Sequence, residues 1–254
     1  MSIPDMKSNQ KSSESFSEKV ILDAVEKFYA GSSFCFFYGS FLKKTNDKNS
    51  DIDLIVVYER AIQAFRQKFI FQEFLFDVFV YDAESLNGAL HMARQNGQFV
   101  TVDAIIDSAV LPHSTDTSKI LKEVAIRVKK AGYLFQNRAF VQQYITNILD
   151  DLETTDAPGE KTMLCIDLYR ALVDIVLING GAGVCSRKYA AKALSVIDPE
   201  LQSELNEALA SSFSGRHQSL IAIAKKILAV LGGPLREGFR MNIQENFRMP
   251  LPVI

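Results

Sequence analysis

Two short runs of the 254-residue sequence join residue types that rarely share a strand. "SDIDLIVVY" (Ser50–Tyr58) opens with Asp51 and Asp53 and continues apolar, and "FLFDVFVY" (Phe74–Tyr81) carries Asp77 in its middle. A strand on its way to burial avoids charge unless something compensates it. Residues two apart on a strand share a face, so Asp51 and Asp53 point the same way, roughly 6–7 Å apart, while Ile52, Leu54 and Val56 point to the core. At that separation two carboxylates repel by about 2.5 kcal/mol at an effective dielectric of about 20. A third acid from a neighbouring strand raises the cost, and such a cluster either shares protons or takes up a divalent cation. Oxygen donors suit Mg²⁺, which uses one or two carboxylates and keeps positions for water and substrate phosphates. Asp77 alternates with Phe76 and Val78 and so fits the face opposite them; Asp82 and Glu84, just beyond the run, are the alternative third acids.

Ahead of the first pair stands "FYGS". Gly39 can adopt a backbone conformation closed to other residues and lets a phosphate approach the main chain, and Ser40 adds a hydroxyl. Amide groups at the start of a following helix point at the same anion. Phosphates held by this turn over a metal held by the aspartates would suit in-line phosphoryl or nucleotidyl transfer.

The elements that must position these residues are legible as alternating patterns. "SFSEKVILDAVEKFYAG" reads as a helix with Val20, Ile21, Ala24, Val25 and Phe28 on one face, capping-box spacing at Ser15 and Glu18, and Gly31 at its end. "SFCFFYGS", "DIDLIVVY" and "EFLFDVFVYD" read as strands, Ala61–Lys68 has helical character, and Ala83 to about Ala109 is mainly helical. The Pro/Ser/Thr stretch "LPHSTDTS" (Leu111–Ser118) reads as a linker, and beyond it strand signals nearly vanish. Helices are expected in "KILKEVAIRVKKAG", "RAFVQQYITNILDDL", "KTMLCIDLYRALVDIVLING", "SRKYAAKAL", "DPELQSELNEAL" and "QSLIAIAKKILAVLGG", the third apolar enough for the middle of a bundle, with a last helix after Pro234. The organisation expected is a leader over 1–17, a mixed-sheet domain over 18–113 and an all-α helical bundle over 118–254.

Composition narrows the function classes. With 48% apolar and 23% charged residues the chain reads as a globular protein with a sizeable core. A net charge of −2 makes duplex nucleic acid an unfavoured partner. No apolar run reaches the ~18 residues of a membrane span and the polar N-terminus has no signal-peptide core, so a cytoplasmic setting is expected. Cys35, Cys165 and Cys185 lack any C-x-x-C spacing and read as reduced, packed thiols. His91, His113 and His217 are isolated from one another in the sequence. Five carboxylates without a basic residue over Asp150–Glu160 form either a solvated helix end or an attractor for a polycationic acceptor. Arg170, in an apolar helix, needs a partner, Asp167, Asp174 or a nucleotide phosphate, and Lys188 at a helix start is a second candidate for the phosphate.

Tyr38-Gly39-Ser40, a gap of ten residues, then Asp51-Ile52-Asp53 with an apolar tail resembles the signature of the DNA polymerase beta-like nucleotidyltransferases, closest to the minimal and aminoglycoside-type branches with a helical C-terminal domain. The likeness covers Phe36 to Val80. Minimal members carry an Arg-Gly pair early in the spacer where this chain has "FLKKTNDK", which leaves Lys43 or Lys44 to meet a phosphate. The resemblance implies an α+β mixed-sheet nucleotidyltransferase fold followed by the helical bundle. It implies Asp51, Asp53 and Asp77 as catalytic and metal-binding residues, with Gly39, Ser40 and Lys44 binding nucleotide. The cofactor implied is Mg²⁺ or Mn²⁺, the donor an NTP with ATP first in order, and the product of each turnover pyrophosphate. The acceptor implied is a small-molecule hydroxyl. An AMP-transferase acting on a protein, and an inactive nucleotide-sensing or interaction protein, are the rival readings. The helical region lacks the Arg-x-x-x-x-His spacing of HEPN ribonucleases, and a homodimer fits its apolar character.

Overall fold

The computed structural model describes residues 16–132, 138–184 and 187–240, with the side chains at 138, 187 and 188 outside the description. Cys185, Ser15 and the Lys188 side chain therefore lie outside the described residues. The chain divides into two compact units, Met1–Gly88 with Ala104–Val124, and Ala89–Asp103 with Ala125–Ile254.

The first unit is built on a five-stranded mixed sheet of order β3-β4-β2-β1-β5. Its strands are β1 (Phe34–Tyr38), β2 (Ile52–Tyr58), β3 (Phe65–Phe71), β4 (Phe74–Asp82) and β5 (Ala109–Leu111). β2 runs parallel to β4 and antiparallel to β1, while β3 and β5 close the two edges antiparallel. β2 is central, and Ile52, Leu54, Ile55, Val56 and Val57 are all buried, as a strand covered on both faces requires. One face, Cys35, Phe37, Ile52, Leu54, Val56, Phe76, Val78 and Val80, packs with Ile21 and Ala24 of α1 (Glu18–Phe28). α1 starts after Ser17, which makes no side-chain cap.

The helical character expected over Ala61–Lys68 is not what forms: Phe65–Phe71 is a strand. The β3–β4 hairpin turns through Gln72 and Glu73 alone, both at positive φ (48° and 68°), a two-residue geometry that ordinarily selects Asn-Gly. Aromatic packing overrides that local cost. The Phe69 ring stacks on Phe76 at 5.2 Å and meets Phe28 at 4.6 Å.

The helices α3 (Ala83–Asn96), α4 (Val100–Asp107) and α5 (Asp116–Ala131) follow in the chain, and Leu111–Ser118 holds the end of β5 and the start of α5. The second unit is dominated by α6 (Arg138–Thr154), α7 (Pro158–Asn179), α8 (Arg187–Ile197), α9 (Pro199–Ser212) and α10 (Gln218–Val230). α7 packs against the other four, burying Cys165, Leu168, Leu172, Ile175 and Leu177. α9 begins as its Asp-Pro start implies, Asp198 accepting from the Leu201 amide at 2.9 Å. The helix expected after Pro234 is absent as far as Arg240. Gly232 and Gly233, at φ 103° and 93°, end α10. The chain beyond is held to α6 instead, Leu235 donating to Thr146 Oγ1 at 3.0 Å and Arg236 pairing with Asp150. Cys35 and Cys165 are buried, free thiols, and no helix among the described residues is long and apolar enough to cross a membrane.

Candidate active site

The parallel pairing of β2 with β4 aligns Asp53 directly with Asp77, and alternation turns both away from the face built on Ile52, Leu54, Phe76 and Val78. One carboxylate oxygen from each of Asp51, Asp53 and Asp77 lies within 4.8 Å of the others, closer than strand spacing alone predicts. Asp77 is buried, and Asp51 and Asp53 are half-buried.

Gly39 explains itself against this cluster. β1 ends at Tyr38 and the chain enters the one-turn helix α2 (Gly39–Leu42) through Gly39 at φ 84°. A Cβ there would lie 2.1 Å from Asp53 Oδ2, so both the backbone conformation and the space exclude any side chain. The Gly-Ser turn thus rests directly on the second aspartate. Lys43 and Thr45 donate back to the Gly39 and Ser40 carbonyls at 3.2 and 2.9 Å, closing the turn. Ser50 is tied into the bend before β2, its hydroxyl accepting from the Asp47 amide at 2.8 Å.

Two cations, not singled out in the sequence, complete the site. Lys68 aligns with Asp77 across the β3–β4 hairpin, and Arg66 projects from the same face two residues earlier. Arg66 grips Asp77 with two parallel bonds, Nε to Oδ1 at 2.8 Å and Nη2 to Oδ2 at 2.6 Å, and its guanidinium lies 4.9 Å over the Phe79 ring. Lys68 Nζ bridges Asp51 Oδ2 at 2.8 Å and Asp77 Oδ2 at 3.0 Å. The signal that would have revealed them is the period-two run "FRQKFIF", apolar or polar-neutral at Phe65, Gln67, Phe69 and Phe71 and charged at Arg66 and Lys68.

The electrostatics separate the three acids. Burial, then the charges of Asp51 and Asp77, push Asp53 up to about 7 against the opposing Lys68 and Arg66. Burial would raise Asp77 too, but the hydrogen bonds from Arg66 and Lys68 outweigh it and hold the carboxyl below its ordinary value. Burial, then the charge of Asp53, raises the Tyr38 phenol.

The remaining sequence candidates sort clearly. Asp82, the alternative third acid, sits at the far end of β4 opposite Tyr58. It accepts from the amide of Ser85 in the first turn of α3 and from that of Ala61 after β2, which holds its carboxyl down at about 2. Glu84 lies in the first turn of α3. Lys43 is engaged by Asp107 at 2.7 Å, while Lys44 is exposed at φ 54° beside the turn. Arg170 is exposed and has Asp174 as its electrostatic neighbour. Within Asp150–Glu160, Arg236 pairs with Asp150, Lys225 with Glu153 and Lys161 with Asp156. No histidine joins a metal-competent group among the described residues; His217 Nδ1 lies 3.8 Å from Cys165 Sγ.

Residues 18–86 match the model of the nucleotidyltransferase domain family, a span that takes in the Gly-Ser turn, all three aspartates and both cations. No curated protein matches the sequence. Among solved structures, a nucleotidyltransferase-like protein from Exiguobacterium sibiricum is similar in fold at 10% identity and a TM-score of 0.51, over 84% of this chain and 74% of that one. The sheet with its helices is a nucleotidyltransferase fold, followed by a helical C-terminal region.

Proposed function

We propose that the chain is a metal-dependent nucleotidyltransferase that moves a nucleoside monophosphate from an NTP, ATP first in order, to the hydroxyl of a small-molecule acceptor. The observation that carries this reading is the convergence of Asp51, Asp53 and Asp77 oxygens within 4.8 Å beside a glycine turn that admits no side chain. Three hard oxygen donors fit Mg²⁺ or Mn²⁺, held by Asp51 and Asp53 with Asp77 completing the set. Bound there, the metal would neutralise charge on the attacked phosphorus and the leaving pyrophosphate. Gly39 and Ser40 cradle the β- and γ-phosphates, the Ser40 hydroxyl donating, and Lys44 supplies a positive charge at the rim. Asp77, both oxygens held by Arg66 and its carboxyl kept below its ordinary value, completes the metal set, and the acceptor hydroxyl releases its proton to solvent as its oxygen bonds to the α-phosphorus. The bond from that phosphorus to the bridging oxygen breaks, and pyrophosphate leaves. The catalytic domain in this reading is 18–113 and the helical region 118–254 contributes acceptor specificity, in a cytoplasmic protein.

A second reading has its own support. Arg66 and Lys68 already compensate Asp51 and Asp77, so these two acids are balanced without any metal, as a nucleotide-sensing protein without turnover would need. Asp53→Asn separates the two. Thermal unfolding with ATP, GTP, CTP and UTP, with and without Mg²⁺, is measured on both proteins, together with pyrophosphate release. A nucleotide at 100 times its Kd adds about 2.7 kcal/mol and raises the midpoint by several degrees. The enzyme reading expects a Mg²⁺-dependent shift and pyrophosphate release, both lost in Asp53→Asn. Nucleotide shifts of equal size with and without Mg²⁺, kept in the variant, would favour the sensor.

A further inference from the structure

Lys68 and Arg66 hold the acidic cluster in different ways. Arg66 is fixed twice over, by its bidentate grip on Asp77 and by the Phe79 ring beneath it. Arg66 is 54% exposed, but a planar guanidinium in such a clamp loses less freedom per bond than a flexible ammonium does. Among the described residues no ring lies beneath Lys68. Its ammonium, on a flexible stem and 47% exposed, sits between Asp51 and Asp77 at 2.8 and 3.0 Å from one oxygen of each. That is the position a divalent ion shared by those two carboxylates would take, and an ammonium and a divalent ion cannot both occupy it.

We propose that Lys68 is an internal stand-in for the active-site metal: it occupies the seat between Asp51 and Asp77 until a divalent ion displaces it, and the freed ammonium then turns to the substrate triphosphate. The inference rests on the metal-dependent reading above. Displacement raises the charge of the site by one, which favours the nucleotide that follows. A single positive charge leaves as a double one enters, and the released lysine meets the added negative charge of the nucleotide. Arg66 stays on Asp77 throughout, as a positioning residue for that carboxylate.

The test is Mn²⁺ binding to the full chain without nucleotide, read from loss of the free-ion EPR signal. Wild type is compared with Lys68→Met, Lys68→Gln, Lys68→Arg and Asp53→Asn, and thermal midpoints are taken in EDTA. Removing a competing, half-exposed cation should tighten Mn²⁺ binding about five- to tenfold in Lys68→Met and Lys68→Gln, while Lys68→Arg stays at or below wild type. The two neutral variants should also melt lower than wild type in EDTA, with the gap closing on Mn²⁺ addition, and should bind ATP less tightly with the metal present. Unchanged Mn²⁺ affinity in Lys68→Met and Lys68→Gln, with binding lost in Asp53→Asn, overturns this inference and leaves the nucleotidyltransferase reading standing. No Mn²⁺ binding by any of the five proteins at millimolar concentration overturns both.

Discussion

α7 and β2 are the central elements of their respective units, and they are buried for the same reason but not to the same end. Along α7, Cys165, Leu168, Leu172, Val173, Ile175 and Leu177 are buried among the apolar residues of the neighbouring helices, and no charge interrupts the buried set. β2 buries Ile52 to Val57 just as completely, except that Asp53 interrupts the run and Asp51 leads into it. Those two acids force the surroundings to respond: Gly39 gives up its side chain, Arg66 and Lys68 reach over from β3, and Asp53 is pushed toward neutrality. The difference teaches where to look for chemistry. A site is where the fold accepts an electrostatic cost that a purely packed element would not carry.

The largest effect that tests this contrast is on stability alone. Leu172→Ala empties a fully buried position in the helical core and should cost about 2–5 kcal/mol, read as a lower denaturation midpoint in urea, with nucleotide binding by the surviving folded protein unchanged. A variant that kept its stability would show α7 to be less of a core than its burial implies.

Next comes Gly39→Ala. A methyl placed 2.1 Å from Asp53 Oδ2, on a residue at φ 84°, must displace either the turn or the carboxylate. We expect about 1–3 kcal/mol of lost stability and at least a tenfold loss of nucleotide affinity by calorimetry. Loss of stability without loss of affinity would separate the turn from the phosphate.

A third test uses pH. Asp53, raised to about 7, is protonated when folded and ionised when unfolded between roughly pH 4 and pH 7, so the folded state binds more protons and stability falls as pH rises through that window. Asp77, held below its ordinary value by Arg66 and Lys68, works the other way: its contribution is present above about pH 4 and is lost only as pH falls below it. The two windows do not overlap. Wild type should therefore lose about 1–2 kcal/mol relative to Asp53→Asn between pH 4.5 and 7.5, after allowing for screening at a partly exposed carboxyl. Mg²⁺ should restore it at the upper end. A flat difference across that range would mean Asp53 is not strained by its neighbours.

How much of this was legible depended on whether a feature announces itself locally. The acids, the Gly-Ser turn and the three strands carrying them were readable because spacing and alternation are local properties. So was the helical nature of the second unit, including the Asp198-Pro199 start. Arg66 and Lys68 were missed because their strand runs into Gln72-Glu73, a pair with no turn preference that is held at positive φ beside the stacked Phe69 and Phe76. Their register against Asp77 is a tertiary fact. Between Pro234 and Arg240 the expected helix does not form, for a related reason. Hydrogen bonds from Leu235 and Arg236 to α6, distant in sequence, outcompeted a local helical preference.

The smallest effect divides two adjacent lysines that sequence alone treats as equals. Lys43 spends its charge on Asp107, 2.7 Å away and half-exposed at both ends. Lys43→Ala should cost stability no more than about 1 kcal/mol and leave the Km for ATP unchanged, because an exposed pair is worth little and its cation is already engaged. Lys44 faces solvent beside the turn, on a backbone at φ 54° that its side chain does nothing to favour. Lys44→Ala keeps that conformation as strained as before, so stability should not move, while a charge is lost from the rim of the proposed phosphate site. A three- to fivefold rise in Km, shrinking as salt is added, is about what one partly screened cation supplies. Lys44→Gly removes the same charge and relieves the strained backbone, so it should show the same rise in Km with a slightly higher thermal midpoint. If Lys43→Ala raised Km and Lys44→Ala did not, the phosphates would lie on the Asp107 side of the turn, and the lysine assigned to them here would be the wrong one of the pair.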